Sequence, residues 1–424
     1  MAKKQFKVVI AGLGGRGYHT YAKFAKLYPE RMKIVAIADV DPLKVKLCGD
    51  EYGVPLENRF TSAEKLFEKE RFGDVAVIAT QDGQHKDHSI MALKLGYHLL
   101  LEKPIAESIE DCLAIEKEAI KYNRLVVVCH VLRYTTFFRK IKEIIDSKEA
   151  GEVVNIQAME NVSFWHQAHS FTRGNWRNDH YTTPMIVQKC CHDVDIISYL
   201  LDKKCLSVQS FGSLYYFKKE NAPEGSALRC KDCKVKDCPY NAYNIYLKNK
   251  EIGFELGNDG WPIDILCEQP TKEKIIKALD EGPYGRCVFH CDNNVVDHQI
   301  TNLLFEDGRT ASLTMTGFTE KNYRMYKVNC TKGEIEANQD LNIVTFTPFG
   351  KEPVVYDINK LATDLTGHGG GDNKMLEEMF DMLEGSLENV SSTIKVSIET
   401  HLMAFAAEKS RLNGGKVIEI ESIR

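Results

Sequence analysis

The amino-acid sequence predicts an α/β chain in two parts: a parallel sheet covered by helices, then an α+β half with a large, mostly antiparallel open sheet. Three observations carry this. Short runs rich in valine, isoleucine and leucine alternate with helix-like stretches as far as Leu132. A glycine cluster directly follows the first of these runs. Beyond Leu132, longer strands follow one another with few helices between them. Strict alternation of strand and helix builds a parallel sheet with helices on both faces, whereas runs of strands build an antiparallel one.

In order, Phe6 to Ala11 reads as a buried strand, and Tyr18 to Tyr28 as a helix after the glycines. Lys33 to Ala38 is the next strand, and Thr61 or Ser62 caps a helix running through Glu68. Asp74 to Ala79 is a strand followed by a helix near Lys86 to Lys94. Tyr97 to Leu101, a helix over Glu107 to Tyr122, and Leu125 to Cys129 complete the alternation. In the second half, a helix near Phe137 to Ser147 leads into a strand over Glu152 to Asn161. Strands follow over Leu206 to Phe217, Gln299 to Phe305, Thr310 to Gly317, Tyr326 to Cys330 and Ile343 to Thr347. Glu306-Asp307-Gly308-Arg309 marks a hairpin. Helices over Lys374 to Glu384 and Thr393 to Leu412 close the chain. The reading divides the chain at 1–131 and 132–424, with a cysteine-containing insertion near 218–296.

Composition narrows the function classes. The 424 residues are 43% hydrophobic and 27% charged, with a net charge of −5. That balance is globular, and it offers nucleic acid no strongly basic face. No apolar run approaches the roughly 20 residues of a membrane span. The N-terminal run after Met-Ala-Lys-Lys is too short and too soon broken by glycine for a signal peptide. Thirteen cysteines, an odd number, point to reduced thiols and a cytoplasmic setting.

Gly12-Leu13-Gly14-Gly15-Arg16-Gly17 fits G-x-G-x-x-G between a strand and a helix. Glycines at Gly12, Gly14 and Gly17 permit the tight turn and let a pyrophosphate approach the helix N-terminus. Asp39 ends the second strand, where a carboxylate accepts hydrogen bonds from both ribose hydroxyls and repels a 2′-phosphate. The pattern therefore predicts a dinucleotide site that takes NAD rather than NADP.

Glu102-Lys103-Pro104 follows a strand directly, at the edge where parallel sheets bind ligands. A lysine there reaches the nicotinamide edge and a substrate hydroxyl. Gln188-Lys189-Cys190-Cys191-His192-Asp193 is the second candidate. His192 serves either proton transfer, for which imidazole is suited near neutral pH, or capping of the helix that follows. Trp165, Arg173, Trp176 and Arg177 precede this motif. Tryptophan packs on sugar rings and arginine forks onto carboxylate or phosphate, although structural packing and surface pairing use the same residues. Arg133, after the last strand of the first part, and His368, in a glycine loop, complete the candidate substrate set.

Together the Gly12 loop, Ala38-Asp39-Val40-Asp41, Ala79-Thr80 with His85, Glu102-Lys103-Pro104 and the mid-chain His-Asp motif resemble the Gfo/Idh/MocA oxidoreductases. The chain is similar to a longer subgroup with a Cys-Cys-His-Asp motif and a cysteine-containing insertion. The resemblance implies an N-terminal Rossmann domain and a C-terminal substrate-binding domain whose open sheet joins subunits into a homodimer or homotetramer. It implies a cofactor cleft lined by Gly12, Gly14, Gly15, Arg16, Gly17, Asp39, Thr80, His85, Glu102 and Lys103. It also implies a reacting centre at Lys103 and His192, and a small carbohydrate-type substrate.

One position departs from the family pattern: Gln188 stands where an aspartate is usual, four residues before the histidine. A neutral amide does not charge-stabilise an imidazolium, so Lys189 becomes a third candidate for the acid/base. The reading is an NAD-dependent dehydrogenase of a sugar or polyol secondary alcohol, with His192 as acid/base and Lys103 polarising the hydroxyl. The alternatives are a redox-neutral glycosidase using bound NAD, and a cofactor-binding sensor.

Cys230, Cys233 and Cys238 form C-x₂-C-x₄-C. The first pair has zinc-knuckle spacing. Four lysine or arginine side chains in the segment offset thiolate charge, and Cys287 is the expected fourth ligand, with His290 and Cys291 as neighbours. The sequence thus predicts a structural zinc site in the insertion.

Overall fold

The structure is a computed structural model that describes residues 4–424. Residues 1–3, which open the N-terminal run discussed above, lie outside the described residues. Strands β1 (Phe6–Ala11), β2 (Met32–Ala38), β3 (Arg59–Phe60), β4 (Val75–Ile78), β5 (His98–Leu101) and β6 (Val126–Val128) form one parallel sheet in the order β3-β2-β1-β4-β5-β6. Every pairing in it is parallel. This is the Rossmann order, in which the crevice lies where the chain reverses direction between β1 and β4. All four residues of β4 are buried, as strands covered on both faces require. Sequence reading passed over β3 and the helix Pro42–Glu51. The former is only two residues long, and the latter begins at a proline after the Asp41 cap.

The second sheet has nine strands. After β7 (Val153–Ser163) come β8 (Cys205–Ser213), β9 (His298–Phe305), β10 (Thr310–Thr319), β11 (Tyr323–Cys330), β12 (Gly333–Asn338), β13 (Ile343–Pro348), β14 (Val354–Asp357) and β15 (Ile418–Glu419). Their order is β14-β13-β12-β11-β7-β10-β9-β8-β15. Only the β7–β10 pairing is parallel. The hairpin at Glu306–Arg309 joins β9 to β10 as expected, with Asp307 at φ 62°. β12 and β14 went unread because each is short and its alternation includes charged residues.

The helix Thr136–Asp146 shows how the sheet gains its cover. Thr135 caps it by accepting the Phe138 N–H, and Phe137, Phe138, Ile141, Ile144 and Ile145 form one buried stripe. Phe138 meets Tyr326 of β11 edge-on at 5.2 Å. Each such side chain, fully buried, contributes about 1.5–3 kcal/mol.

The division at residue 132 needs one amendment. The helix Gly371–Leu383 returns to the first domain, where Met375, Met379 and Phe380 join the same core as Phe6 and Phe24. Phe380 stacks on Phe6 at 4.8 Å. The chain also lays Thr393 beside Val127 at the free edge of β6. The last two helices therefore bind the domains to each other.

Residues 214–297, between β8 and β9, form the insertion. It is built mostly of single turns around one helix, Lys272–Glu281, and has a small apolar cluster of its own. Its tip reaches the glycine loop: Ile265 Cδ1 would lie 3.8 Å from a Cβ at Gly15.

Candidate active site

The glycine loop is shaped for close backbone approach. Gly12 has φ +93°, and a Cβ on it would stand 2.3 Å from the Ala79 carbonyl oxygen. A Cβ on Gly17 would stand 1.8 Å from the Gly12 carbonyl oxygen. Neither position accepts a side chain, whereas the space over Gly14 is open within 4 Å. An open concave turn at a helix start is a pyrophosphate cradle. Asp39 completes it: Oδ2 accepts the Leu13 N–H at 2.6 Å, and Oδ1 accepts the Asp41 N–H at 2.8 Å. One carboxylate thus fixes the glycine loop to the end of β2. The residues present fit a dinucleotide.

Arg16 joins the loop to the strand edge. Its Nε lies 2.5 Å from Glu102 Oε1, and its Nη2 lies 2.6 Å from Asp372 Oδ1. Tyr21 donates to the same Glu102 oxygen. Arg16 holds both carboxylates ionised, and Asp372 lies far below the usual carboxylate range despite its burial. Asp372 in turn pairs with His368, whose Nδ1 is 3.0 Å away. His368 is half-exposed and its ring lies 6.3 Å from that of His192. The predicted candidates Arg16, Glu102 and His368 therefore meet in one network, through an aspartate that sequence reading did not single out.

Thr80 and His85 serve the loops themselves. Thr80 Oγ1 lies 3.0 Å from His88 Nδ1. His85 is buried between two carbonyls, with Nδ1 2.8 Å from the Pro104 oxygen and Nε2 3.1 Å from that of Thr80. It thereby ties the turn after β4 to the turn after β5.

At the reacting edge, Lys103 Nζ donates to the main-chain carbonyl of Gln188 at 2.7 Å. His192 lies in the first turn of the buried helix Cys191–Leu201, which has no side-chain cap, so capping is not its role. Its Nδ1 is buried without a hydrogen-bond partner. Burial first, then the nearby Lys103 charge, push the imidazole well below its ordinary pKa. It is a neutral ring with an uncommitted nitrogen beside an ammonium. Behind it, His130 Nδ1 pairs with Asp195 at 2.6 Å, and the His130 ring is 6.0 Å from His192.

Lys189 is committed elsewhere. Its Nζ lies 3.1 Å from Glu160 Oε1, while Arg324 spans Glu160 at 2.9 Å and Asp193 at 2.7 Å. These four form one connected network in which burial pushes the Asp193 carboxyl up to about 7, and Lys189 serves positioning there. His166, half-buried, turns Nδ1 to Asn322 Oδ1 at 2.9 Å. Its ring is held neutral chiefly by burial and then by Lys189. Asn322 and Arg324 went unread because their partners lie more than a hundred residues away in sequence, and Glu160 because Arg324 does.

Several substrate expectations are corrected. Arg133 is buried in a two-pronged pair with Asp195, at 2.6 and 2.7 Å, and donates to the Ser391 carbonyl. Arg173 is buried, donating to the carbonyls of Arg286 and Tyr240 at 2.7 and 2.6 Å. Arg177 forks onto Asp292 at 2.6 and 2.9 Å. These guanidinium groups hold the fold. Trp165 is buried and donates its indole N–H to Glu251 at 3.0 Å. Trp176 is half-buried against the main core.

Cys230, Cys233, Cys238 and Cys287 are free thiols in one region of the insertion. Among the described residues no three His, Cys, Asp or Glu side chains are placed to hold a metal ion, so the zinc site expected in the insertion is not supported. No helix among the described residues is long and apolar enough to cross a membrane.

A parallel Rossmann sheet and an open glycine turn anchored by the Asp39 carboxylate fit a nicotinamide-dependent oxidoreductase. Comparison with known proteins agrees. Residues 6–130 match the oxidoreductase family with an NAD-binding Rossmann fold, and residues 138–228 match the GFO/IDH/MocA C-terminal domain. The chain belongs to the Gfo/Idh/MocA family.

YteT of Bacillus subtilis, named only as an oxidoreductase, is 21% identical over 98% of this chain and 99% of its own length. Inositol 2-dehydrogenase of Burkholderia lata is 30% identical, over 42% of this chain and 49% of its own. The chain thus spans less than two thirds of that relative. Among solved structures, the WlbA dehydrogenase of Bordetella pertussis, in complex with NADH and UDP-GlcNAcA, superposes with a TM-score of 0.71 at 15% identity. It covers 99% of each chain. The likeness shows a shared fold.

Proposed function

We propose that the protein transfers hydride between NAD and a secondary alcohol of a sugar, polyol or sugar derivative. The observation that carries this reading is His192, buried with Nδ1 unpartnered, four residues beyond the Gln188 carbonyl that holds Lys103 Nζ at 2.7 Å. NAD supplies the hydride acceptor or donor. The chain's residues position the carbinol and move its proton. Lys103 polarises the substrate oxygen by donating a hydrogen bond to it, the hydroxyl in oxidation and the carbonyl in reduction, and in reduction protonated His192 returns the proton. His192, kept neutral by burial and by the Lys103 charge, accepts the hydroxyl proton. Gln188 contributes its main-chain oxygen, which anchors Lys103 without a carboxylate. The inositol 2-dehydrogenase named above supports the substrate class by similarity.

Asp39 favours NAD over NADP, because a carboxylate at the ribose repels a 2′-phosphate. The test is a panel of polyols, aldoses, uronic acids and nucleotide sugars incubated with NAD, with net NADH as the readout. Sugar released from a glycoside without net NADH favours the redox-neutral glycosidase instead.

A further inference from the structure

The insertion between β8 and β9 has only a small apolar cluster of its own, so its placement depends on neighbours. Residues 165–173, just after β7, supply them. The Trp165 indole donates to Glu251 at 3.0 Å. His169 Nδ1 lies 2.8 Å from the Tyr246 hydroxyl oxygen, and its ring stacks on Tyr284 at 4.7 Å. Arg173 donates to the carbonyls of Arg286 and Tyr240. These contacts fasten the body of the insertion beside the end of β7.

The tip, residues 260–266, extends from that body to the first domain. Asn258 shapes its entry. The Asn258 side-chain oxygen accepts the Gly260 N–H at 3.1 Å, and its amide nitrogen donates to the carbonyls of Ile252 and Trp261 at 2.9 and 3.3 Å. The Ile263 N–H donates to the Gly260 carbonyl at 2.8 Å, and the Ile263 side chain is buried. One tight turn therefore separates Trp261 from Ile265. Trp261 packs on the fastening segment, with ring centroids 5.3 Å from Trp165, 4.9 Å from His166 and 5.7 Å from His169. Ile265 instead reaches the glycine loop, where its Cδ1 would lie 3.8 Å from a Cβ at Gly15.

That spacing is ordinary van der Waals contact, and the space over the adjacent Gly14 stays open. Trp261 and Ile265 are each more than a third exposed. Four residues apart, one apolar side chain rests beside the end of β7 and the other at the rim of the pyrophosphate cradle. A pyrophosphate held over Gly14 lies next to Ile265. Covering Ile265 removes apolar surface from water. Excluding water there also strengthens the attraction between the phosphates and the N–H groups of the loop.

We propose that residues 261–265 form the outer wall of the dinucleotide site and slow the release of bound cofactor. The proposal rests on the NAD-binding reading of the glycine loop and requires nothing of the substrate. Ile265 is the side chain in contact with the bound dinucleotide, and Trp261 is the anchor that holds the turn in place.

Stopped-flow release of NADH from full-length protein tests this without any turnover. Protein loaded with NADH is mixed with excess NAD, and the loss of bound-NADH fluorescence gives the release rate. Ile265→Ala and Trp261→Ala should each speed release at least about fivefold, since losses at a contact surface are expressed mainly in dissociation. Leu256→Ala serves as the control, because Leu256 is 65% exposed in a neighbouring turn of the same insertion. It should release NADH at the parent rate. Should Trp261→Ala fail to fold, Ile265→Ala decides alone. Release from Ile265→Ala at the parent rate, or equal acceleration in Leu256→Ala, overturns the proposal and leaves the cofactor reading intact. A parent protein that binds no NADH overturns both.

Discussion

The Lys103 ammonium donates to the main-chain oxygen of Gln188, 2.7 Å away, and not to a side-chain carboxylate. A peptide carbonyl holds the lysine in place without pairing its charge. That charge, after burial, lowers the His192 pKa.

Lys103→Met is expected to lower turnover at least ~100-fold, the usual scale for a positioned proton-transfer group. Gln188→Ala retains the main-chain oxygen and should cost less than about tenfold. Steady-state kinetics on both variants check this. Equal losses would mean that the Gln188 side chain has a role its contacts do not show.

His192→Ala should also cost at least ~100-fold in turnover, with NADH affinity changed less than about threefold. Because burial and Lys103 depress the His192 pKa, the wild-type rate should show no His192 titration between about pH 6 and 8. A pH–rate profile of the wild type, with NADH binding to the variant by fluorescence, reads both.

Acid should destabilise the fold through its buried histidines. Burial lowers His166 and His192 well below their ordinary value, and lowers His169 and His401 to about 3. The unfolded chain then binds more protons below its own histidine pKa. Stability is therefore present above about pH 6.5 and is lost as pH falls toward the folded values. Each histidine contributes up to about 1.4 kcal/mol per pH unit in that window. Denaturant midpoints measured from pH 7.5 to 5 should fall steadily.

Asp39→Ala should weaken NADH about tenfold or more and narrow its advantage over NADPH, since the carboxylate serves the ribose and also holds the Leu13 N–H. Fluorescence titrations with both nucleotides measure it. Unchanged NADH affinity would remove Asp39 from the ribose site.

Local signals made much of this fold readable. The strands of the first sheet other than β3 are continuous apolar runs, and Ser62 is a visible cap. The glycine loop and Glu102-Lys103-Pro104 are short motifs whose place in a parallel sheet is fixed by topology. Long-range charge partners were not readable. Arg133 and Arg173 resemble ligand-binding arginines until the fold brings Asp195 and two carbonyls to them. Asp372 acquires its role only because a C-terminal helix returns to the first domain and meets Arg16. No local periodicity records such a return.

The central claim is hydride exchange at the Lys103–His192 edge. Its most direct measurement uses NADH carrying deuterium at the transferable position, incubated with the oxidised and reduced members of the sugar panel and followed by mass spectrometry. Deuterium is expected on a carbinol carbon of at least one sugar-type compound, abolished in Lys103→Met although that variant still binds NADH. Tight NADH binding with no label transfer to any member would contradict it and leave the protein a cofactor-binding sensor.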